Sequence, residues 1–478
     1  MINAEEHFYD EDPNKGHPDV RTRLEGVSYF FLGNGKIQAV VQICPEGKGT
    51  PVGLFFLNPE KLGKKRNSIL FDHDSGLEYS MIRITSDGQE YIPPWETVDA
   101  SWCFDCKYPK VRVSWETPAF KLSEWFYCRN ETDYQLVRRI EIVSKSIRQV
   151  NAYCHTGPPE MTKERNIILN PGESTDWFLL YEIKLGENPV ISQSVESEIN
   201  ESQEYWKDKV SIQFHSQIPD ELFKASCFQM PAVISENAVM DASIWQYNRE
   251  WVRDHSMMVL GLTFSGHSGI AKKLLERLLN DFVGEDGDPV DSSLTRSYDE
   301  VELDQNGELL YALEQYYLWT GDKKIIRDYW SKIISVAEFP LKQDFCHPES
   351  GLLSTTREYW ERHRLHGILP GIELTPQLFV SIGLNSVSNL AGIINMKDKE
   401  TYWKRESERI RNALLDKDGF GLIHEGKLIK RRSNDGSLQE SIVPLNEAGL
   451  PQEVPLARKG DHFLNPDSST ALPIVYGL

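Results

Sequence analysis

The period of apolar positions changes once along this chain. Up to about residue 215 it is two. Apolar residues recur at every second position in Ile37/Ala39/Val41/Ile43, in Val111/Val113/Trp115 and in Trp177/Leu179/Tyr181/Ile183/Leu185, which predicts strands with one buried face. Tyr29–Leu32 and Ile37–Ile43 flank Gly33-Asn34-Gly35, and Asn-Gly between apolar runs is a hairpin signal. Gly and Pro punctuate the rest, as in Tyr91-Ile92-Pro93-Pro94 and Gly157-Pro158-Pro159. Many strands without interleaved helices predict an antiparallel β-sandwich over residues 1–215. The polar stretch Ser194–Asp208 reads as a linker or a short exposed helix.

Beyond it the period becomes about 3.6. Leu274, Leu275, Leu278 and Phe282 share a face, as do Leu309, Leu310, Leu313 and Tyr317, with Asn306 placed to cap that helix. Ile325, Ile326, Tyr329, Ile333 and Ile334 follow an entry at Asp322. Thr375-Pro376 gives a cap and a first-turn proline before Phe379, Ile382, Leu390 and Ile394. Trp403, Ile410 and Leu414 mark another helix, and Ser468–Leu478 begins one more. Residues 216–478 therefore predict about eight helices, joined by long loops of the kind that usually carry function.

Composition narrows the class. The 478 residues are 40% hydrophobic and 11% aromatic, enough for large cores and for two or three domains. A formal charge of -20 disfavours phosphate backbones. The basic triplets Lys64-Lys65-Arg66 and Lys430-Arg431-Arg432 read as solvated loops. Nucleic acid is not an expected partner. Met1–Gly16 lacks the pattern of a secretory signal, and no run of about eighteen apolar residues predicts a membrane span. Seven cysteines, odd and scattered, fit a reducing compartment. The expectation is a soluble cytoplasmic protein.

Three polar-aromatic segments enter helices of the second half. In Tyr247-Asn248-Arg249-Glu250-Trp251-Val252-Arg253-Asp254-His255, the Arg–Asp pair stands at the mouth of a helix expected over Ser256–Phe264. Asp254 can cap that helix and Arg253 can pair elsewhere. Alternatively, the two form a fork and an acceptor for vicinal sugar hydroxyls, between the flat faces of Tyr247 and Trp251. In Arg357-Glu358-Tyr359-Trp360-Glu361-Arg362-His363-Arg364, two carboxylates three residues apart bracket a Trp. Met in isolation, that string is a surface run of alternating charge. In a sugar pocket, the aromatic wall keeps one carboxyl protonated for acid catalysis and the other tunes it. The third segment is Glu302-Leu303-Asp304-Gln305-Asn306-Gly307-Glu308, of which Asp304 is taken as substrate-binding.

In this order the motifs resemble the family 15 glycoside hydrolases: glucoamylases, glucodextranases and prokaryotic trehalase relatives. The resemblance covers roughly Pro219–Leu478, with a looser match of the N-terminal sandwich. The family's Tyr-x-x-x-Trp-x-Arg-Asp stretch appears as Tyr247, Trp251, Arg253 and Asp254. Its acid motif appears as Glu358-Tyr359-Trp360-Glu361, with Glu358 where the family usually has Asp. The resemblance implies Glu361 as general acid and Arg253 and Asp254 as the pair that holds the terminal sugar's hydroxyls; beside it, Glu358 is read as support and Tyr247, Trp251 and Trp360 as sugar-binding from their place in the charged segments. It implies an (α/α)6 barrel, inversion by an acid and a base set across the pocket, and no cofactor. In the family the base lies between the last two barrel helices. Asp467-Ser468-Ser469-Thr470 and Leu472-Pro473 match a mid-barrel segment, so the expected architecture is an incomplete (α/α)6 barrel. Completion by another chain, a fragment of a longer protein, or a different carboxylate as base are all consistent with that match. An open barrel also predicts self-association through apolar helix faces.

The reaction expected is exo-acting release of glucose from α-glucans or α-linked disaccharides. The rival is a non-catalytic glycan-binding protein lacking the base, and a phosphorylase on a related barrel ranks last. Other motifs carry less. Cys103-Phe104-Asp105-Cys106 has no second pair to complete a zinc site. Asp72-His73-Asp74-Ser75-Gly76 and Asp416-Lys417-Asp418-Gly419 stop short of a calcium loop. Gly266-His267-Ser268-Gly269 reads as a turn, and Trp330 and Trp403 as core.

Overall fold

The structure is a computed structural model that describes residues 26–57, 77–104, 108–128, 133–194, 209, 214–240, 250–290, 301–360, 362–416, 419–445, 459–460 and 462–466. The linker at 195–208, the basic triplet at 64–66, the acidic turn at 72–76, Cys106 and the last expected helix lie outside them. The chain divides into two compact units. One comprises the described residues of Met1–Glu250 with Gly261–Lys273, the other those of Trp251–Leu260 and Leu274–Leu478.

The first unit is built of antiparallel sheets, as the alternation predicts. Strands β1 (Ser28–Gly33), β2 (Gln38–Ile43) and β3 (Val52–Phe56) form one sheet. Leu32 pairs with Ala39 across the expected turn, where Gly35 has φ +79° and Asn34 Oδ1 accepts from the amides of Lys36 and Ile37. Strands β4 (Arg83–Ser86), β5 (Gln89–Tyr91), β6 (Asp99–Trp102), β7 (Lys110–Glu116), β8 (Phe120–Cys128) and β9 (Gln135–Ser144) follow. After them come β10 (Val150–Thr156), β11 (Lys163–Leu169), β12 (Ser174–Glu182) and β13 (Val190–Ser194). They give a four-stranded sheet in the order β11-β10-β4-β5 and a six-stranded sheet in the order β13-β12-β9-β8-β7-β6. Val41, Ile84, Val113, Trp115, Ile140, Ala152 and Trp177, drawn from all three sheets, share one apolar core.

That core contains an ion pair. On β9 the pleat sends Arg139 outward to Asp176 and Arg138 inward. Arg138 is fully buried beside Glu124 of β8, with Nε 2.8 Å from Oε2, and donates further bonds to the Ser80 carbonyl and the Tyr181 hydroxyl. Trp115 Nε1 donates to the other Glu124 oxygen at 2.9 Å. The buried charges are thus fully partnered, the condition under which such a pair persists.

The described residues hold eight α-helices. They are α1 (Gln217–Gln229), α2 (Val252–Phe264), α3 (Ser268–Arg277), α4 (Asp304–Thr320), α5 (Lys323–Asp328), α6 (Trp330–Glu338), α7 (Leu374–Ile393) and α8 (Lys397–Leu414). Asp322 caps α5 as expected, accepting from the Lys324 and Ile325 amides. In the second unit, α7 is buried almost all round and packs between α4 and α8. At the α4–α7 crossing the backbones touch: a Cβ on Gly307 would lie 1.9 Å from the Phe379 carbonyl oxygen, and one on Gly383 would lie 2.5 Å from the Gly307 Cα. Trp403 is fully buried against Trp330, edge to face at 5.9 Å. No described helix is long and apolar enough to cross a membrane.

Four local expectations are corrected. Asn306 does not cap α4, which begins at Asp304; its buried amide donates to the Gly287 and Val336 carbonyls, tying loop and helix together. Helix α2 begins at Val252, so Arg253 and Asp254 lie in its first turn, and α7 begins at Leu374, one residue before Thr375-Pro376. The triplet Lys430-Arg431-Arg432 is not a solvated loop. Lys430 and Arg431 are buried, and Arg431–Ser433 pairs with Gly371–Glu373 as a short strand. Two distant carboxylates make that burial tolerable, as described below.

Replacing Glu124 by Gln should leave Arg138 buried without its countercharge and lower stability by about 3 kcal/mol. The midpoint of urea unfolding measures it, and Glu124→Leu with Arg138→Met together should recover most of the loss.

Candidate active site

The first segment enters the second unit at Trp251, which is buried, and its first helical turn presents Arg253 and exposed Asp254. Arg253 Nη1 lies 2.6 Å from Glu302 Oε2 and 3.8 Å from Asp304 Oδ2. Its guanidinium sits 5.9 Å from the Trp251 ring centroid and 5.2 Å from that of Tyr359. Segments far apart in sequence therefore meet around one cation. Glu302 is the hub: its second oxygen binds Arg357 Nη2 at 3.1 Å, and Gln305 also donates to it. One carboxylate thereby fixes two guanidinium groups, and Asp304 beside it supplies a second negative charge at the start of α4, where the helix dipole favours it.

The segment around Tyr359 is anchored from beneath. Tyr359 packs on Phe379 and Ile382 of α7 with Tyr311 alongside, and its backbone amide donates to Glu373 Oε1 at 3.2 Å. Trp360 meets Tyr359 edge to face at 5.1 Å and remains 49% exposed beside that buried ring. Glu358 turns inward, where its carboxylate lies 2.6 Å from Arg362 Nε and 2.8 Å from Lys430 Nζ. With two cations on it, Glu358 holds the loop's shape. Tyr247 and Glu361 lie outside the described residues.

Arg431 completes the anchor. Its Nη1 lies 2.9 Å from Glu373 Oε2 and also donates to the Arg357 carbonyl, while Nη2 donates to the carbonyls of Thr355 and Leu369. A flat fork with five donors suits such a set; a lysine in its place has no equivalent geometry. Burial pushes the Glu373 carboxyl up to about 7 against the pull of Arg431, and Glu358 adds to the rise. These partners escaped the sequence reading because Arg431 lies 58 positions from Glu373. Glu302 and Glu308 were within a segment already singled out, but no pattern separated them from their neighbours. Among the described residues no three His, Cys, Asp or Glu are grouped to hold a metal ion.

Lysine at position 431 should keep the charge but lose the bonds to the Thr355, Arg357 and Leu369 carbonyls. We expect Arg431→Lys to lower stability by about 3 kcal/mol and to speed tryptic cleavage after Arg357 and Arg362, read by mass spectrometry of timed digests.

No family model matches the chain. Over 222 residues it is 25% identical to Trehalase 1 of Sulfolobus acidocaldarius, a match covering 37% of this chain and 38% of that protein. The chain thus spans about 38% of the length of this curated relative. Among solved structures, a putative kojibiose phosphorylase from human microbiome aligns with TM-score 0.47 and 12% identity, over 84% of this chain and 70% of that one. A bacterial glucoamylase complexed with acarbose aligns with TM-score 0.44 and 12% identity, over 82% and 66%. The sequence shared with Trehalase 1 agrees with the resemblance to the family 15 glycoside hydrolases carried by the Trp-x-Arg-Asp and Glu-x-Trp-Glu segments.

Proposed function

We propose that this chain carries the sugar clamp and general acid of an exo-acting, inverting α-glucoside hydrolase that releases glucose from α-glucans or α-linked disaccharides. The observation that supports it most is the pairing of Arg253 with Glu302 and Asp304 between the Trp251 and Tyr359 rings, with exposed Asp254 beside it. Fixed donors and acceptors, with the exposed Trp360 ring on the neighbouring segment, suit a pyranose: hydroxyls for the first two, a C–H face for the third. Similarity to a trehalase favours an α-linked glucoside.

In this reading the terminal sugar binds at Arg253 and Asp254, and Trp360 offers its exposed face to the sugar. Glu361 follows Trp360 directly and precedes Arg362, both set on the anchored loop. It donates its proton to the glycosidic oxygen as the bond to the anomeric carbon breaks. Water attacks that carbon from the opposite face, giving up its proton to a carboxylate across the pocket. That base is assigned to none of the residues named here. The reading also places the protein in the cytoplasm and uses no cofactor.

Glucose release from maltotriose, isomaltose and trehalose tests the proposal. Glu361→Gln should lower kcat by about 10²–10⁴-fold while sugar affinity changes little. Substantial turnover surviving that substitution sinks the acid assignment.

A further inference from the structure

Glu308 lies within the acidic cluster around Arg253, and among the described residues its carboxyl has no hydrogen-bond partner. It is 3% exposed, one turn along α4 from Asp304. The nearby charges are Asp304, Asp254 and Glu302 against a single Arg253. That guanidinium already has Glu302 at 2.6 Å. The flanking Gly307 holds α4 against the α7 backbone. The packed helices offer it no cation. Helix α7 carries no ionisable side chain from Leu374 to Ile393, and on α6 Lys332 and Glu338 are engaged with the Leu279 carbonyl and Lys399. Further along α4, Tyr311 packs with Tyr359, and Glu314 accepts from Asn389.

An unpartnered buried carboxylate is far costlier than the neutral acid of the same shape. Burial first, then the neighbouring carboxylates, raise the proton affinity of Glu308 well above the ordinary carboxyl range. We propose that Glu308 is a positioning residue held as a neutral acid, so that Arg253 stays paired with Glu302 and Asp304 and keeps its place beside Asp254. Ionised, Glu308 would compete for the same guanidinium and draw it inward from the sugar. The role of the clamp in sugar binding rests on the function proposed above.

Two measurements on the full chain separate the possibilities, with Glu308→Gln as the neutral isostere and Glu308→Met as a second neutral variant. The first is urea unfolding over a series of pH values. A group whose folded-state pKa is raised loses stability as pH climbs above its unfolded value, about 4.3 for Glu. Relative to Glu308→Gln, the parent's folding constant should therefore fall up to about tenfold per pH unit, levelling off when folded Glu308 ionises. The second is binding of maltotriose and trehalose by tryptophan fluorescence. The parent's affinity should drop at the pH where that levelling occurs, and the Gln variant should show no such step.

Parallel stability curves, with the parent still binding sugar, overturn the Glu308 proposal alone. So does a Gln variant whose sugar affinity is reduced tenfold or more at every pH, since a charge or acceptor specific to Glu is then required. Failure of both neutral variants to fold overturns it as well. A parent that binds neither sugar overturns the glucoside reading and the clamp role with it, while a stability gap that widens with pH would still establish the neutral acid.

Discussion

A guanidinium cut off from water must find both a countercharge and enough oxygens for its donors, and Arg431 finds them all around the loop that carries Tyr359. Glu373 supplies the charge, and the carbonyls of Thr355, Arg357 and Leu369 take the remaining bonds. Because the same Glu373 also receives the Tyr359 amide, the cation fixes the loop at both its entrance and its aromatic centre. Lys430, the preceding residue, pairs with Glu358 and secures the next stretch. Removing either partner of such a pair leaves a bare charge in a dry place, so the arrangement holds together or fails as a unit.

The cluster around Arg253 depends on this frame. Arg253 rests against the Tyr359 ring, and Arg357 shares Glu302 with it. Carboxylates at the head of α4 meet cations from α2 and from the loop that carries Tyr359 only because α4 and α7 cross at glycines with their backbones in contact. A methyl group at Gly307 would move the whole head of α4. Close packing and charge pairing are here two expressions of one geometry. The neutral acid proposed for Glu308 fits the same logic, since one guanidinium already bound by a carboxylate has little left for another.

Strand and helix content was legible where burial is periodic. The β1–β2 hairpin follows from Asn34-Gly35 between apolar runs, the α5 cap from Asp322, and the core position of Trp403 from its place on an amphipathic face. These are local effects, decided within a few residues. Asn306 misled for the converse reason. Its type and position fit a cap, but two carbonyls from elsewhere in the fold claimed its amide.

By itself the sequence determined which segments are dense in polar and aromatic side chains, and that strands precede helices. Spacing along one strand or helix decides which face a residue joins, and that is a property of the chain alone. Whether a charge is solvated or buried depends on what stands opposite it, often tens of residues away. Lys430 and Arg431 look like surface residues until Glu358 and Glu373 are brought to them. Glu302 is one acid among several until two arginines converge on it. Only the tertiary structure made those pairings, because desolvation and Coulomb energy are set by distance in space and not by separation in sequence.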